Sequence, residues 1–312
     1  MKIAFLFPGQ GSQSVGMGAD LAAHIPSSLK VFEEASLQIG YKLDSVCFYG
    51  PADKLSSTEI TQPALFTVSA AALNALTEQG VTAEAAAGHS VGEYSALLAA
   101  GAIDFSTALR LVTQRGHAMN RAAMSHPGTM SAVLGLASDA VEDVCREVTE
   151  TGIGLVVAAN FNGAGQVVIS GVPAAVEKAG AALKARGAKK VIPLAVSGSF
   201  HSPLMKTAAE EMKVYLEGAG VESAKIPVVA NATADYETSA SQIVDNLVAQ
   251  VDGPVRWEQS IVRLLNDDFD TFVEVGSGSV LSSLVKRIAK NIQVFSVSDS
   301  AGVAAAAAAL RK

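Results

Sequence analysis

Cysteine is almost missing from this chain. Cys47 and Cys145 are the only two among 312 residues; they lie far apart with no C-x-x-C spacing, which argues against a disulfide framework and against a thiol-ligated metal. Both read as reduced, buried small residues. Basic charge is scarce as well. The formal net charge is -7, and acidic and basic residues are spread along the chain, so there is no extended basic stripe of the kind a phosphate backbone requires. That argues against nucleic acid as a partner. Nor does a long apolar run open the chain: MKIAFLFPGQG carries one lysine and the five apolar residues Ile3 to Phe7 before Pro8, too few for a signal-peptide core or a membrane span. A first β-strand and a cytoplasmic protein, free of membrane, are expected. No repeat of solenoid period is visible, and the glycine-rich FPGQGSQSVGMG has neither the lysine of a P-loop nor the form of a dinucleotide fingerprint.

What is present is apolar residue, 49% of the total, enough to bury a sizeable core. Strand-length apolar runs alternate with helical patterns: a strand at Lys2–Phe7, helices near Met17–Ile25, Ser28–Ile39 and Gln62–Gln79, then a strand at Ala83–Ala87. This alternation argues for a parallel α/β sheet covered by helices. Between Thr129 and Leu194 the order changes to βαββαβ, with strands in MSAVLGL, LVVAANF, QVVISG and KKVIPLAV and helices over Asp139–Glu150 and Pro173–Arg186. That order predicts a small ferredoxin-like unit, residues 127–195, inserted into a larger α/β domain of residues 1–126 and 196–312. The last third returns to α/β style, with strands in IPVVANA and TFVEVG, helices near Ser239–Val251, Arg256–Asn266 and Ser279–Ile288, and an alanine-rich terminal helix. A cleft between the two bodies is the expected place for a site.

Gly88-His89-Ser90-Val91-Gly92 fits the G-x-S-x-G nucleophile elbow, with an apolar strand before it and a helical EYSALLAA after it. Glycines on both sides permit the tight turn that would expose the Ser90 hydroxyl. A serine needs a base. Of five histidines, His24 falls at a helix end, His117 on a polar helix face, His126 in a linker, and His89 abuts the serine, so elimination leaves His201 in SGSFHSPLM. No acid lies where the hydrolase order wants one: Asp235, Asp245 and Asp252 all follow His201. Either the order is altered or a backbone carbonyl orients the imidazole. Arg115 stands on the apolar face of the helix Phe105–Met124, among Leu111, Val112, Ala118 and Met119. A buried guanidinium demands an anion, which can be a core carboxylate or the carboxylate of a substrate held bidentately. The loop after the first strand can offer the Gln10 amide to an oxyanion hole, with the Val91 amide as its partner.

With these pieces in place the chain resembles the malonyl-CoA:acyl carrier protein transacylase family over nearly its whole length. The resemblance rests on FPGQGSQ at Phe7–Gln13, TQPALF at Thr61–Phe66, GHSVGEYSAL at Gly88–Leu97, QRG at Gln114–Gly116, NFNGAGQVVISG at Asn160–Gly171, SGSFHSPLM at Ser197–Met205, GPVRW at Gly253–Trp257 and EVGSG at Glu274–Gly278. It implies a hydrolase-like core interrupted by a ferredoxin-like subdomain. It also implies malonyl transfer from malonyl-CoA to the phosphopantetheine thiol of acyl carrier protein, through a malonyl ester on the serine, for fatty acid synthesis. No cofactor and no metal are implied, and a monomer is expected. By resemblance Ser90 is the nucleophile, His201 its base, Gln250 the residue whose carbonyl orients the histidine, Gln10 and Val91 the oxyanion donors, and Arg115 the malonyl clamp. Asn160 and Asn162 match positions near the cleft, and Phe200 matches the aromatic that crowds out an α-methyl branch. Two departures stand out: Ser277 and Ser279 in a peripheral loop, and Val91 where leucine is frequent. The basic candidates for docking an acidic carrier protein are Lys184, Arg186, Lys189 and Lys190 on the small unit and Lys286, Arg287 and Lys290 in the last third.

Overall fold

Residues 1–311 are described by the computed structural model, and their ten strands divide between two sheets. In chain order the strands are β1 (Ile3–Phe7), β2 (Ala85–Gly88), β3 (Thr129–Leu134), β4 (Val156–Gly163), β5 (Gln166–Gly171), β6 (Lys190–Pro193), β7 (Val228–Val229), β8 (Tyr236–Glu237), β9 (Thr271–Val275) and β10 (Gln293–Val297). The larger sheet has the order β10-β9-β1-β2-β7-β8 and is parallel except for β8 at its edge. The smaller has the order β4-β5-β3-β6 and is antiparallel throughout. With helices Ser138–Glu150 and Pro173–Ala185 between its strands, it has the βαββαβ order expected for residues 129–193.

Strand β1 explains how the larger sheet is buried on both faces. Its residues alternate by the two-residue period of a strand: Ile3, Phe5 and Phe7 pack into one apolar cluster, and Ala4 and Leu6 into another on the opposite face. A third cluster, centred on Val133, Val144, Phe161 and Ile169, belongs to the smaller sheet and its two helices. The sheets are joined through β4. Phe161 N–H donates to the Val255 carbonyl and Val255 N–H to the Ala159 carbonyl, each at 2.8 Å. This junction fixes Asn160 and Asn162 on the cleft side of the smaller sheet.

Several elements differ from their sequence expectation, each for a tertiary reason. The IPVVANA run forms a ladder only at Val228 and Val229, because the next residues turn away and Asn231 gives its backbone N–H to Glu93 and its side chain to the serine turn. The KKVIPLAV run ends as a strand at Pro193, which has no N–H for the ladder. The helix expected from Gln62 begins at Thr58 and runs to Glu78 through Pro63, fully buried along most of that length. Helices Leu43–Tyr49 and Lys206–Glu217 and strand β10 had no counterpart in the sequence reading.

The elbow is built by close backbone approach. Phe7 O accepts from His89 N–H at 2.9 Å, pinning the end of β1 to the turn after β2. A Cβ on Gly92 would stand 2.2 Å from that same Phe7 carbonyl oxygen, and one on Gly88 would stand 2.0 Å from the Gly92 carbonyl. Only glycine fits at either position. Gly92→Ala is therefore expected to destabilise the fold by about 1–3 kcal/mol, the usual cost of overpacking. The check is the urea midpoint, which should fall at unchanged slope; an unmoved midpoint would show that the strand and helix part without cost.

Candidate active site

Ser90 sits between β2 and the helix Gly92–Ala99 with φ at +53°, and His201 sits in its own loop with φ at +56°. Both are non-glycine residues in the left-handed region, a strained conformation that persists only where surrounding contacts enforce it. For Ser90 those contacts are explicit. Its N–H donates to Asn231 Oδ1 at 2.7 Å, Asn231 Nδ2 donates to the Gly88 carbonyl at 2.6 Å, and Gln250 Nε2 donates to the Ser90 carbonyl at 2.9 Å. The turn is thus stapled from outside on both flanks.

The Ser90 hydroxyl and His201 Nε2 are 2.8 Å apart. On the other side of the ring, Nδ1 lies 2.8 Å from the Gln250 carbonyl and 3.2 Å from the Gly253 carbonyl. A carbonyl accepts only, so Nδ1 carries the proton and Nε2 is left as an acceptor facing the serine. None of Asp235, Asp245 and Asp252 takes part; Asp235 is paired with Arg263 at 2.9 Å. The missing acid of the sequence is replaced by backbone carbonyls. Burial, and after it the positive charge of Arg115, push the His201 pKa from its ordinary 6.5 down to about 3. The imidazole is therefore neutral, the form a base requires, throughout the neutral range.

Arg115 is only 1% exposed. One guanidinium nitrogen donates to Gln62 Oε1 at 2.8 Å; the other donates to Gln250 Oε1 at 2.8 Å and to Ser90 Oγ at 3.1 Å, while Nε has no partner. No carboxylate of the described residues is in direct contact with it, and the buried Glu93 reaches it only through Gln250. The charge is held by neutral amide oxygens and aimed at the serine.

These groups open on a cavity of about 240 Å³, lined by Gln10, Ser90, Val91, Arg115, Phe200 and His201 on one side and by Asn160 and Asn162 of β4 on the other. Asn162 Oδ1 is 2.9 Å from His89 Nε2, whose ring also leans on Trp257 with centroids 5.6 Å apart. The backbone amides of Gln10 and Val91 have no acceptor among the described residues, whereas the Ser90 amide is already taken by Asn231. The other histidines lie elsewhere: His24 against Asp20, His117 against Glu59, and His126 on the surface. Sequence reasoning missed Gln62, Asn231, Glu93 and Glu237. Glu93 and Gln62 lie inside quoted motifs, and that is the one signal that could have found them; Asn231 and Glu237 carry no local pattern.

A parallel sheet bearing a serine on a strand-to-helix elbow, with a neutral imidazole on its hydroxyl, is the architecture of enzymes that move acyl groups through serine. Comparison with known proteins narrows that class. The acyl transferase domain family matches residues 4–308, and the chain belongs to it. It is similar to the malonyl CoA-acyl carrier protein transacylase of Bacillus subtilis, 46% identical over 298 residues covering 96% of this chain and 94% of that one. The transacylase of the same name from Escherichia coli K12 is 44% identical and covers 98% of both chains. Among solved structures, a malonyl-transacylase in complex with its type II polyketide-synthase acyl carrier protein superposes with a TM-score of 0.96 at 42% identity, covering 99% of this chain and 100% of that one. The Coxiella burnetii transacylase gives a TM-score of 0.96 at 34% identity, covering 100% and 98%.

Because the His201 pKa lies below its unfolded value, this group's contribution to stability is fully present above pH 6.5 and is lost as pH falls from there toward about 3. Imidazole NMR should show a His201 ring that stays neutral well below pH 6.5 in the wild type and titrates higher in Arg115→Ala, where the second cause of depression is gone. A wild-type midpoint near 6.5 would contradict the burial and the charge assigned here.

Proposed function

We propose that the chain transfers a malonyl group from malonyl-CoA to the phosphopantetheine thiol of an acyl carrier protein, through a malonyl ester on Ser90. The observation that carries this reading is Arg115: a buried cation without a carboxylate partner, 3.1 Å from the serine hydroxyl. A neutral ester has no use for such a group, whereas a malonyl thioester brings the missing carboxylate with it.

In the proposed route, His201 Nε2 takes the Ser90 proton as Oγ bonds to the thioester carbonyl carbon. The oxyanion is held by the amides of Gln10 and Val91. Collapse breaks the carbon–sulfur bond, and the CoA thiolate leaves with the proton from His201. The carrier-protein thiol then gives its proton to His201 and attacks the ester, and Ser90 Oγ departs and recovers the proton. Gln250 holds the imidazole through its carbonyl and the guanidinium through its side chain. Nucleophile, base and oxyanion donors all come from the chain itself. Phe200, 5% exposed and lining the cavity, restricts the space for a branch at the acyl α-carbon, and Asn160 and Asn162 face the donor from the smaller unit, residues 127–195. Fatty acid synthesis in the cytoplasm is the setting the family resemblance favours. Among the described residues no helix is long and apolar enough to cross a membrane.

For the carrier protein we favour the end of the helix Val280–Ile288. Its first turns supply Val280, Leu281 and Leu284 to the cavity wall, while Lys286, Arg287 and the following Lys290 are exposed. On the smaller unit, by contrast, Arg186 is already paired with Glu147 at 2.6 Å. Lys184, Lys189 and Lys190 remain exposed there.

Intact-mass measurement after mixing with malonyl-CoA should show a malonyl increment on the wild type and none on Ser90→Ala. His201→Ala should acylate roughly 10²–10⁴ slower, the usual worth of a general base. Arg115→Ala should lose malonyl or accept acetyl in its place. Folded wild-type protein that gains no mass would end the transacylase reading and return the site to an esterase or a scaffold. Reversing the charge of Lys286 and Arg287 together should raise the KM for carrier protein several-fold, with serine acylation changed much less; an unchanged KM would remove that helix end from docking.

A further inference from the structure

Two carboxyl groups are buried beside this centre, and no step above uses their charge. Glu93 lies in the first turn of the helix Gly92–Ala99 and Glu237 in β8; neither is exposed at all. One oxygen of each is satisfied. Glu93 Oε2 accepts from Gln250 Nε2 at 2.8 Å and from Asn231 N–H at 3.0 Å, and Glu237 Oε2 accepts from Asn246 Nδ2 at 2.8 Å. The other oxygen, Oε1, is buried without a protein donor on either residue, and the two carboxyl groups lie close enough to act on one another's charge.

Two carboxylates cannot both stay ionised in contact and out of water unless a cation lies between them. The nearest cation, Arg115, gives its bonds to Gln62, Gln250 and Ser90. The other groups facing the pair are neutral: Tyr94 on the same helix, whose hydroxyl is unpartnered, Asn246 and Gln250 on the helix Ala240–Asp252, and Asn231 after β7. One proton between the two Oε1 atoms satisfies both at once, since a protonated carboxyl donates where a carboxylate can only accept.

We propose that Glu93 and Glu237 share a single proton as an acid–carboxylate pair, and that the charge remaining on Glu93 Oε2 anchors Gln250 and Asn231, and through them Arg115, His201 and Ser90. Glu93 Oε2 accepts two donors and Glu237 Oε2 only one, which leaves the charge on Glu93 and the proton on Glu237, and desolvation raises the pKa of both groups. The pair is a positioning device: it touches no reacting atom. It holds Gln250 by its side chain and Asn231 by its backbone N–H, and each of these residues then serves the centre twice. Gln250 bonds the Ser90 carbonyl and the Arg115 guanidinium, and Asn231 bonds the Ser90 amide and the Gly88 carbonyl.

The kinetic consequence rests on the acyl-transfer reading; the shared proton does not, so the test has two arms. The first is the infrared difference spectrum between wild type and Glu237→Gln at neutral pH. The expected result is the carbonyl stretch of a buried protonated carboxyl in the wild type, lost in the variant. No such band, or an equal band in both, overturns the shared proton. In the second arm, Glu237→Leu should lower kcat for malonyl transfer about tenfold, as losing a bond to a charged group does. Glu237→Gln, which keeps a donor toward Glu93, should recover to within about threefold of wild type. Equal kcat in the two variants overturns the positioning role, and should the leucine variant not fold, a Glu237→Gln that falls as low as tenfold does so too. A wild type that shows the band but forms no malonyl ester overturns the acyl-transfer reading and leaves the shared proton supported.

Discussion

Gln250 is the point through which the centre is assembled. Its carbonyl meets His201 Nδ1, its Oε1 meets Arg115, and its Nε2 meets both the Ser90 carbonyl and Glu93. Four groups from three separate stretches of chain are thus referred to one residue near the C-terminal end of the helix Ala240–Asp252. A short, branched network of this kind holds reacting groups more tightly than any single contact, because moving one member breaks several bonds in a medium of low dielectric. It also lets a neutral amide stand where a hydrolase places an acid, so that the imidazole keeps its tautomer without a third charge beside it.

The electrostatics follow from that choice. An aspartate at the position of the Gln250 and Gly253 carbonyls would neutralise Arg115 and raise the His201 pKa. Backbone carbonyls leave the guanidinium without a carboxylate in contact and the histidine depressed. The cavity thus presents a buried cation beside a neutral imidazole. Burying Arg115 with no carboxylate in contact costs on the order of several kcal/mol, and the amide oxygens of Gln62 and Gln250 offset only part of it.

Strain is placed where the chemistry is. Ser90 and His201 both occupy the left-handed region, and the contacts enforcing this come from Asn231, Gln250 and the end of β1 rather than from their own neighbours in sequence. The larger sheet supplies the rigidity. Its strands β1, β2 and β7 are parallel and buried on both faces, so their carboxyl ends are fixed relative to one another to within the tolerance of a hydrogen bond. The smaller sheet, tied in through Val255, closes the opposite wall.

By itself the sequence determined the α/β alternation, the βαββαβ insertion and the serine elbow, because each is a local pattern: periodicity of apolar residues, strand and helix order, glycines around one serine. It also marked Arg115, since a charge on an apolar helix face is visible in a few turns. The partner of His201 carries no local pattern, because it is a backbone carbonyl and every residue has one, and only the family resemblance pointed to Gln250. Asn231, Glu93 and Glu237 were silent for a related reason: they look like ordinary polar residues until the fold removes them from water. The tertiary structure alone decided how Gln62, Asn231, Glu93 and Glu237 meet the centre and which strand ends early so that Asn231 can turn back. Those outcomes depend on contacts between distant stretches of chain, where desolvation makes an unpaired group costly and so selects the pairing.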